Sequence, residues 1–456
     1  MSVIGEAQFR DTVDLAWPRI VTGFAIMSKR TVDLAIVGVA VGAEAVAGLG
    51  VANGFWTVGK FAYIGLSGGT LALVSQNYGG EEAGRAADAV AASILIAAVT
   101  AIPVAAVFAL GARPLVSLVG GGPATTGFGA AYLAVVAPGL VFEAFNLVAS
   151  RTYAGVGDTV TPMAVRAAGA VLNVTLSATL VFGAGWGVVG AGVGTTLATA
   201  IVALVFAWGM TGRSYAGRGA SPIPVGPDSR PTSGLVRQLL RVTVPLVARR
   251  IAQGVVVFPL LAIAAAFGPA ALAALSVARQ IRQLLGSFTW GFSIAASTLV
   301  GQALGGAEEA RAVVYGRDIA KLSLLVYVLA AAVVVAVARP VATLFVDSGV
   351  SLTALFVASA AVSAVPLGVD GSLTGALRGA GDTRVPFLAT LAGLYLVALP
   401  VAYLGTVTAV GVTALLVALV AETAVPVVVN LRRFRSRTWL AVSRDYRPGT
   451  DADVGD

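Results

Sequence analysis

IVTGFAIMSKRTVDLAIVG, residues Ile20–Gly38, is the stretch whose reading decides the fold. It is long and apolar enough to read as a membrane-spanning helix, which needs about 20 residues to cross the hydrocarbon. Yet it carries Lys29, Arg30 and Asp33 close together. Ionised groups at mid-membrane depth each cost roughly 2.5–3.5 kcal/mol on the lenient insertion scale, and are tolerated where they pair, face water or do work. Lys29 and Asp33 stand four apart and share a helix face. One reading is a self-neutralising pair. The other makes Asp33 a cation or proton site inside a transporter, and the rest of the chain favours that second reading.

The chain has 456 residues, 57% hydrophobic and 11% charged. Twelve long Ala/Val/Leu-rich runs are centred near residues 26, 60, 100, 138, 173, 199, 254, 286, 329, 363, 395 and 419. In lipid the backbone must satisfy its own hydrogen bonds, so these runs are helices; they lack the alternation of a membrane β-barrel. The predicted fold is therefore all-α and integral to the membrane. A charged leader with Glu6, Arg10 and Asp11 precedes the first run without a small-residue cleavage site, so that run is expected to be retained as a helix and not removed as a signal peptide. The chain contains no Cys and no His, which excludes disulfides, thiol chemistry, His-ligated haem and His/Cys zinc sites, and removes most nucleophile–base catalysis.

The net charge of +8 does not point to nucleic acid. With the N-terminus in the cytoplasm and twelve spans, Arg151, Arg166, Arg213, Arg218, Arg230, Arg237, Arg241, Arg311, Arg317, Arg378 and Arg384 fall at cytoplasmic loops or helix ends, as does the cluster Arg432, Arg433, Arg435, Arg437; Arg113 and Arg339 lie opposite. That is the positive-inside pattern, and it predicts a multi-pass protein with both termini in the cytoplasm. The basic tail is also placed to touch anionic headgroups.

A Gly/Ser/Pro/Arg-rich stretch divides the chain nearly in half. The expected organisation is an N-lobe at 1–210, a cytoplasmic linker at 211–237, a C-lobe at 238–435 and a polar cytoplasmic tail at 436–456. The halves repeat. VSQNYGGEEAGRA (Val74–Ala86) matches VGQALGGAEEARA (Val300–Ala312) at an offset of 226, and GDTVTP (Gly157–Pro162) matches GDTRVP (Gly381–Pro386) at 224. GAEAVAGL (Gly42–Leu49) pairs with GPAALAAL (Gly268–Leu275) at 226, and Pro18 with Pro245 at 227. With six spans each, both halves enter the membrane from the same side and form parallel repeats. The glycine pairs are expected to end helices with positive φ, and Asp158 and Asp382 to cap the helices that follow, with Pro162 and Pro386 in their first turns.

In this order, twice over, the motifs resemble the multidrug and toxic compound extrusion (MATE) family across about residues 10–435. The resemblance rests on VDLAIVG, VSQNYGG, GDTVTP, LNVTLSATLVFG, VGAGVGTTLAT, VGQALGG and LRGAGDTRVP. It implies two pseudo-symmetric six-helix lobes around a central V-shaped cavity, and export of organic molecules against inward flow of Na⁺ or H⁺. It implies the N-lobe cation site at Asp33, a bend in span one at Pro18, and contributions from Asn173 on span five and Thr195 on span six. The family's second span-five acid is replaced by Ser177. The acids of the alternative C-lobe site are replaced by Gln253 and Leu367.

Asp33, Asn173, Ser177 and Thr195 offer oxygens suited to a hard cation, so Na⁺ is set ahead of H⁺, with Asp33, Asn173 and Thr195 as its ligands. Glu143 in span four is read either as a second titratable site or as one half of a structural pair with an arginine. Asp370, Lys60, Trp56, Gln253 and Arg249 are candidates for the substrate cavity. Were Arg249, Arg250, Arg279 and Arg282 to face it, they would favour anionic or zwitterionic cargo. Glu422 is expected to pair with a neighbour. The expectation is a monomeric, cation-coupled antiporter of the plasma membrane with small organic substrates, lipid contacts, no cofactor and no nucleic-acid partner. A lipid-linked oligosaccharide flippase is the alternative, and a membrane enzyme the second.

Overall fold

The computed structural model describes residues 5–120, 122–215 and 220–445, apart from the side chains of Ser28 and Arg30. Arg218, the Arg30 side chain and the tail beyond residue 445, on which sequence readings fell, lie outside the described residues. Among the described residues ten helices are long and apolar enough to cross a membrane, and the pair Gly122–Val136 and Gly139–Gly155, bent by 52°, makes an eleventh if counted as one span. The twelfth is Glu6–Ala40, an unbroken helix of 35 residues that runs through Pro18. Its cluster of charges sets it apart from the others in apolarity.

In chain order the spans are one, Glu6–Ala40; two, Ala43–Gly79; three, Ala83–Leu110; four, the bent pair; five, Val160–Gly183; and six, Gly187–Met210. There follow seven, Ser233–Ala266; eight, Pro269–Gly305; nine, Glu309–Ala336; ten, Val350–Gly379; eleven, Arg384–Val407; and twelve, Thr413–Arg435.

Packing divides the chain into two units. The N-terminal unit comprises Val21–Val74 and Glu82–Thr243; the C-terminal unit comprises Met1–Ile20, Ser75–Glu81 and Val244–Asp456. The division thus crosses span one two residues beyond Pro18. It also assigns the end of span two to the C-terminal unit.

Within the N-terminal unit the interhelical linker is packed down. Ser221 and Ile223 are buried, Tyr215 Oη meets Tyr153 Oη at 3.0 Å and donates to Val205 O, and Arg230 N–H donates to Asp88 Oδ1 at 2.8 Å. Gly157 makes its turn at φ 97°, and Asp158 Oδ1 accepts from Thr161 N–H at 2.9 Å, capping span five as the sequence predicts.

The repeat of that turn behaves differently. In the C-terminal unit Gly381 again has positive φ, 80°, but the Asp382 carboxylate takes Arg433 Nε at 2.7 Å instead of a helix N–H. An arginine supplied by the last span outcompetes a backbone donor, as charge-assisted bonds do. The residues after span twelve also fold back. A short helix, Trp439–Arg444, stacks Trp439 on Phe434 with ring centres 5.2 Å apart, and Trp439 is buried.

The VxQxxGG motifs correct a second expectation. The positive φ belongs to Glu81 (61°) and Ala307 (59°), not to the glycine pairs. The glycines are needed for space. A Cβ on Gly79 would run into the Gln302 backbone, and one on Gly305 into the Gln76 backbone. The contact is reciprocal, because Gly79 and Gly305, and likewise Gln76 and Gln302, stand at the repeat offset of 226. Gln76 Nε2 donates to Gly379 O at 2.6 Å beside it.

Candidate functional site

The N-terminal unit gathers the acid of span one with side chains of spans five and six. Asp33 is 6% exposed, and Asn173 and Ser177 are fully buried. Spacing explains the meeting: Asn173 and Ser177 are four apart on span five, hence on one face, and Thr195 faces them from span six. Gly194 lets the two helices close, since a Cβ there would lie 2.9 Å from Ser177 Oγ.

The Asn173 Nδ2 donates to both Asp33 oxygens at 3.1 and 3.2 Å while its Oδ1 accepts from Thr195 Oγ1 at 3.0 Å. That arrangement satisfies a bare buried carboxylate. Ser177 Oγ stands close to the carboxylate but makes no hydrogen bond of ordinary geometry. Lys29 acts on Asp33 through space, and among the described residues it closes no contact ion pair with it, so the self-neutralising pair is not formed.

Glu143 sits elsewhere in the same unit and is held on both sides. Arg166 clamps it with Nη1–Oε2 at 2.8 Å and Nη2–Oε1 at 3.1 Å, and Lys60 Nζ reaches Oε1 at 2.7 Å. Arg166 is 8% exposed. It lies on the helix Val160–Ala178, and its guanidinium turns into the interior of its unit onto Glu143, a partner that its expected place among the cytoplasmic loops or helix ends did not reveal. The missed signal was the repeat register: Arg166 aligns with Thr390 at 224, and Thr390 also faces the acid-bearing cluster of its own unit. Trp56 lies beside Gly139, where a Cβ would meet its ring at 3.3 Å. Thr199, which sequence reasoning passed over, donates to Thr195 O at 2.6 Å and accepts Asn146 Nδ2 on its carbonyl at 3.0 Å, which steadies span six behind the site.

In the C-terminal unit Asp370 is buried and occupied. Arg249 Nη2 reaches it at 2.6 Å, Asn430 Nδ2 donates to its other oxygen at 2.7 Å, and Arg249 Nε donates to Thr390 Oγ1 at 2.7 Å. Gln253 accepts from Arg250 Nη1 at 3.4 Å. Glu422 pairs with Arg279 at 2.8 Å and with Arg282. Arg378, which the sequence placed at a cytoplasmic helix end, turns its guanidinium onto span eight, donating to Ser293 O at 2.8 Å and Ser297 Oγ at 3.2 Å.

Twelve membrane-crossing helices, built as a repeated set of six and carrying charged side chains buried within each unit, define a membrane transporter. The MatE family profile matches residues 18–179 and 245–404, and the chain belongs to that family, the multidrug and toxic compound extrusion transporters. It is a multi-pass membrane transporter and not an enzyme. The chain is 27% identical over 413 residues to the "Probable multidrug resistance protein NorM" of Bradyrhizobium diazoefficiens, covering 87% of this chain and 86% of that one. Among solved structures it resembles a MATE transporter in the bent conformation, with a TM-score of 0.88 at 19% identity, covering 96% of this chain and 97% of that one. It also resembles a MOP superfamily transporter from Pyrococcus furiosus Vc1, described as having a binding pocket of reverse polarity that suggests a different function; the TM-score is 0.86 at 19% identity, with 97% of each chain covered.

Proposed function

We propose that this protein is a cation-coupled antiporter of the plasma membrane, with cytoplasmic termini, that exports small organic compounds, and that Asp33 is its coupling group. The observation that carries this reading is a buried carboxylate with no contact cation partner among the described residues, set against the neutral side chains of Asn173 and Thr195. An isolated buried charge of this kind is costly unless something fills the place beside it. A single carboxylate with neutral oxygens suits a weakly held monovalent ion, which places Na⁺ ahead of H⁺.

The Asn173 amide N–H₂ holds both Asp33 oxygens while the site is bare, so a cation or proton must take the place of those bonds to bind. Span one carries the change onward through Pro18, where the missing backbone N–H weakens the helix, just before the chain passes from one packing unit to the other. Alternating access then requires that ion and substrate favour different states. Glu143, its two oxygens taken by Arg166 and Lys60, holds spans two, four and five together and is not a second coupling site.

The test is substrate efflux from reconstituted vesicles under imposed Na⁺ and pH gradients. Asp33→Asn is expected to abolish gradient-driven export while leaving the protein folded. Normal export by that variant would remove Asp33 from the mechanism. Equal driving by a pH gradient in Na⁺-free medium would reverse the preference between the ions.

A further inference from the structure

Span twelve, Thr413–Arg435, sorts its residues by the direction they face. Its exposed positions are Thr413, Val417, Val428, Arg432 and Arg435. They are separated by four, eleven, four and three residues. Each separation is close to a whole number of turns at 3.6 residues per turn, so the five make one stripe along the helix. The other face is buried and carries Glu422, Thr423, Pro426, Asn430 and Phe434. An apolar face left open on a membrane span lies against lipid tails. Arg432 stands one turn beyond Val428, about 6 Å further along the axis. The lipid-facing stripe therefore ends in two arginines, at the depth where hydrocarbon gives way to headgroups.

The neighbouring arginines are spent inside the protein. Arg433 holds Asp382 at 2.7 Å and also bonds Thr438. Arg444 forks onto Glu309 at 3.0 and 3.1 Å. With Trp439 buried against Phe434, these bonds fix the chain that follows the span. Arg437 stands exposed on that fixed segment, at φ 57°. Among the described residues Arg433 and Arg444 meet acids, whereas Arg432, Arg435 and Arg437 meet none. Three positive charges are thus left open at the end of one span, two of them on its lipid face, beside a segment that is already ordered.

We propose that Arg432, Arg435 and Arg437 form a binding surface for the headgroup of an anionic phospholipid. A juxtamembrane cluster of this sign is attracted to anionic lipid, and guanidinium forks match phosphate oxygens. The acyl chains would lie along Val428 and Val417, which ties the site to a lipid and not to a free phosphate. The proposal does not depend on the coupling scheme.

The experiment is native mass spectrometry of the full-length protein in detergent, titrated with short-chain phosphatidylglycerol or phosphatidylcholine. The expected result is tighter, saturable binding of phosphatidylglycerol. Arg432→Gln and Arg435→Gln are each expected to weaken it roughly fivefold, the share of one basic residue at an anionic surface, and the triple Gln variant more than about fiftyfold. The triple Lys variant is expected to restore most of the binding, which a fold defect would not allow. Arg339→Gln, a change at an exposed arginine on the short helix Ala338–Thr343, is expected to change nothing. Phosphatidylglycerol binding unchanged in the triple Gln variant, or equal binding of phosphatidylcholine, would overturn the proposal. So would competition by glycerol phosphate at equal concentration, which would make the ligand a free phosphate, or binding of an oligothymidine that displaces the lipid, which would make the surface one for nucleic acid.

Discussion

Replacing Glu143 with Gln tests how the N-terminal unit holds its buried charge. The carboxylate is 7% exposed and takes Arg166 at 2.8 and 3.1 Å and Lys60 at 2.7 Å. Glutamine keeps the shape but removes the negative charge and turns an N–H₂ toward a donor. Two cations are then stranded. Lys60, with a side chain 21% exposed, reaches solvent, so its share is small; Arg166, at 8%, carries most of the penalty. Removing one partner of a buried pair costs about 3–5 kcal/mol, and the exposure of Lys60 sets the expectation at the lower end, about 3 kcal/mol. That is roughly a hundredfold in the ratio of folded to unfolded protein. The assay is unfolding of purified protein by titrating SDS into mixed micelles, followed by tryptophan fluorescence. The double variant Glu143→Gln with Arg166→Gln removes the deeper stranded charge and is expected to recover about 1–2 kcal/mol of the loss, which is non-additivity of the kind that contacting residues show. A single variant within about 1 kcal/mol of wild type, or a double variant worse than the single, would refute the reasoning.

Asn173→Ala removes the amide whose N–H₂ donates to both Asp33 oxygens in the bare site; bonds to an ionised partner are worth about 1.5–3 kcal/mol, so the bare state loses that stabilisation and the Na⁺ concentration for half-maximal export is expected to fall roughly ten- to a hundredfold, and an unchanged Na⁺ dependence would count against the site. Gly305→Ala drives a Cβ into the Gln76 backbone and is expected to cost about 1–3 kcal/mol in the same SDS titration. Gly84→Ala, where a Cβ meets open space, is expected to be neutral or slightly stabilising; equal losses at the two glycines would show that space is not the reason for Gly305.

The spans and the repeat were legible because hydrophobic length and motif order are properties of the chain itself. That Asp33, Asn173 and Thr195 come together was legible through the family resemblance, which named positions on three different helices; the coupling role given to them is the proposal above. Partners were harder to read. Arg166 looks cytoplasmic by its place near the start of span five, yet a long flexible stem lets its guanidinium reach Glu143 on another helix, and one-dimensional spacing carries no information about that reach. Asp382 and Asp158 stand in near-identical motifs, yet one pairs with Arg433 and the other caps a helix, because the arginine comes from a span 51 residues downstream. The glycines of VxQxxGG were assigned to turn geometry when their function is close approach, which a sequence shows only once the opposing backbone is known. The charged first span was the informative exception: its breach of apolarity is where the coupling site is proposed.

The reciprocal crossing of the two VxQxxGG segments has the form of an isologous contact, in which the same patch meets itself across a two-fold axis. A half-length ancestor pairing with its own twin would have needed one glycine to make both halves of this joint. In one chain that single requirement becomes two, Gly79 and Gly305, and a change at either leaves the other's close contact in place. The joint keeps the form of such an interface within one chain, and at either glycine a Cβ would meet the opposing backbone.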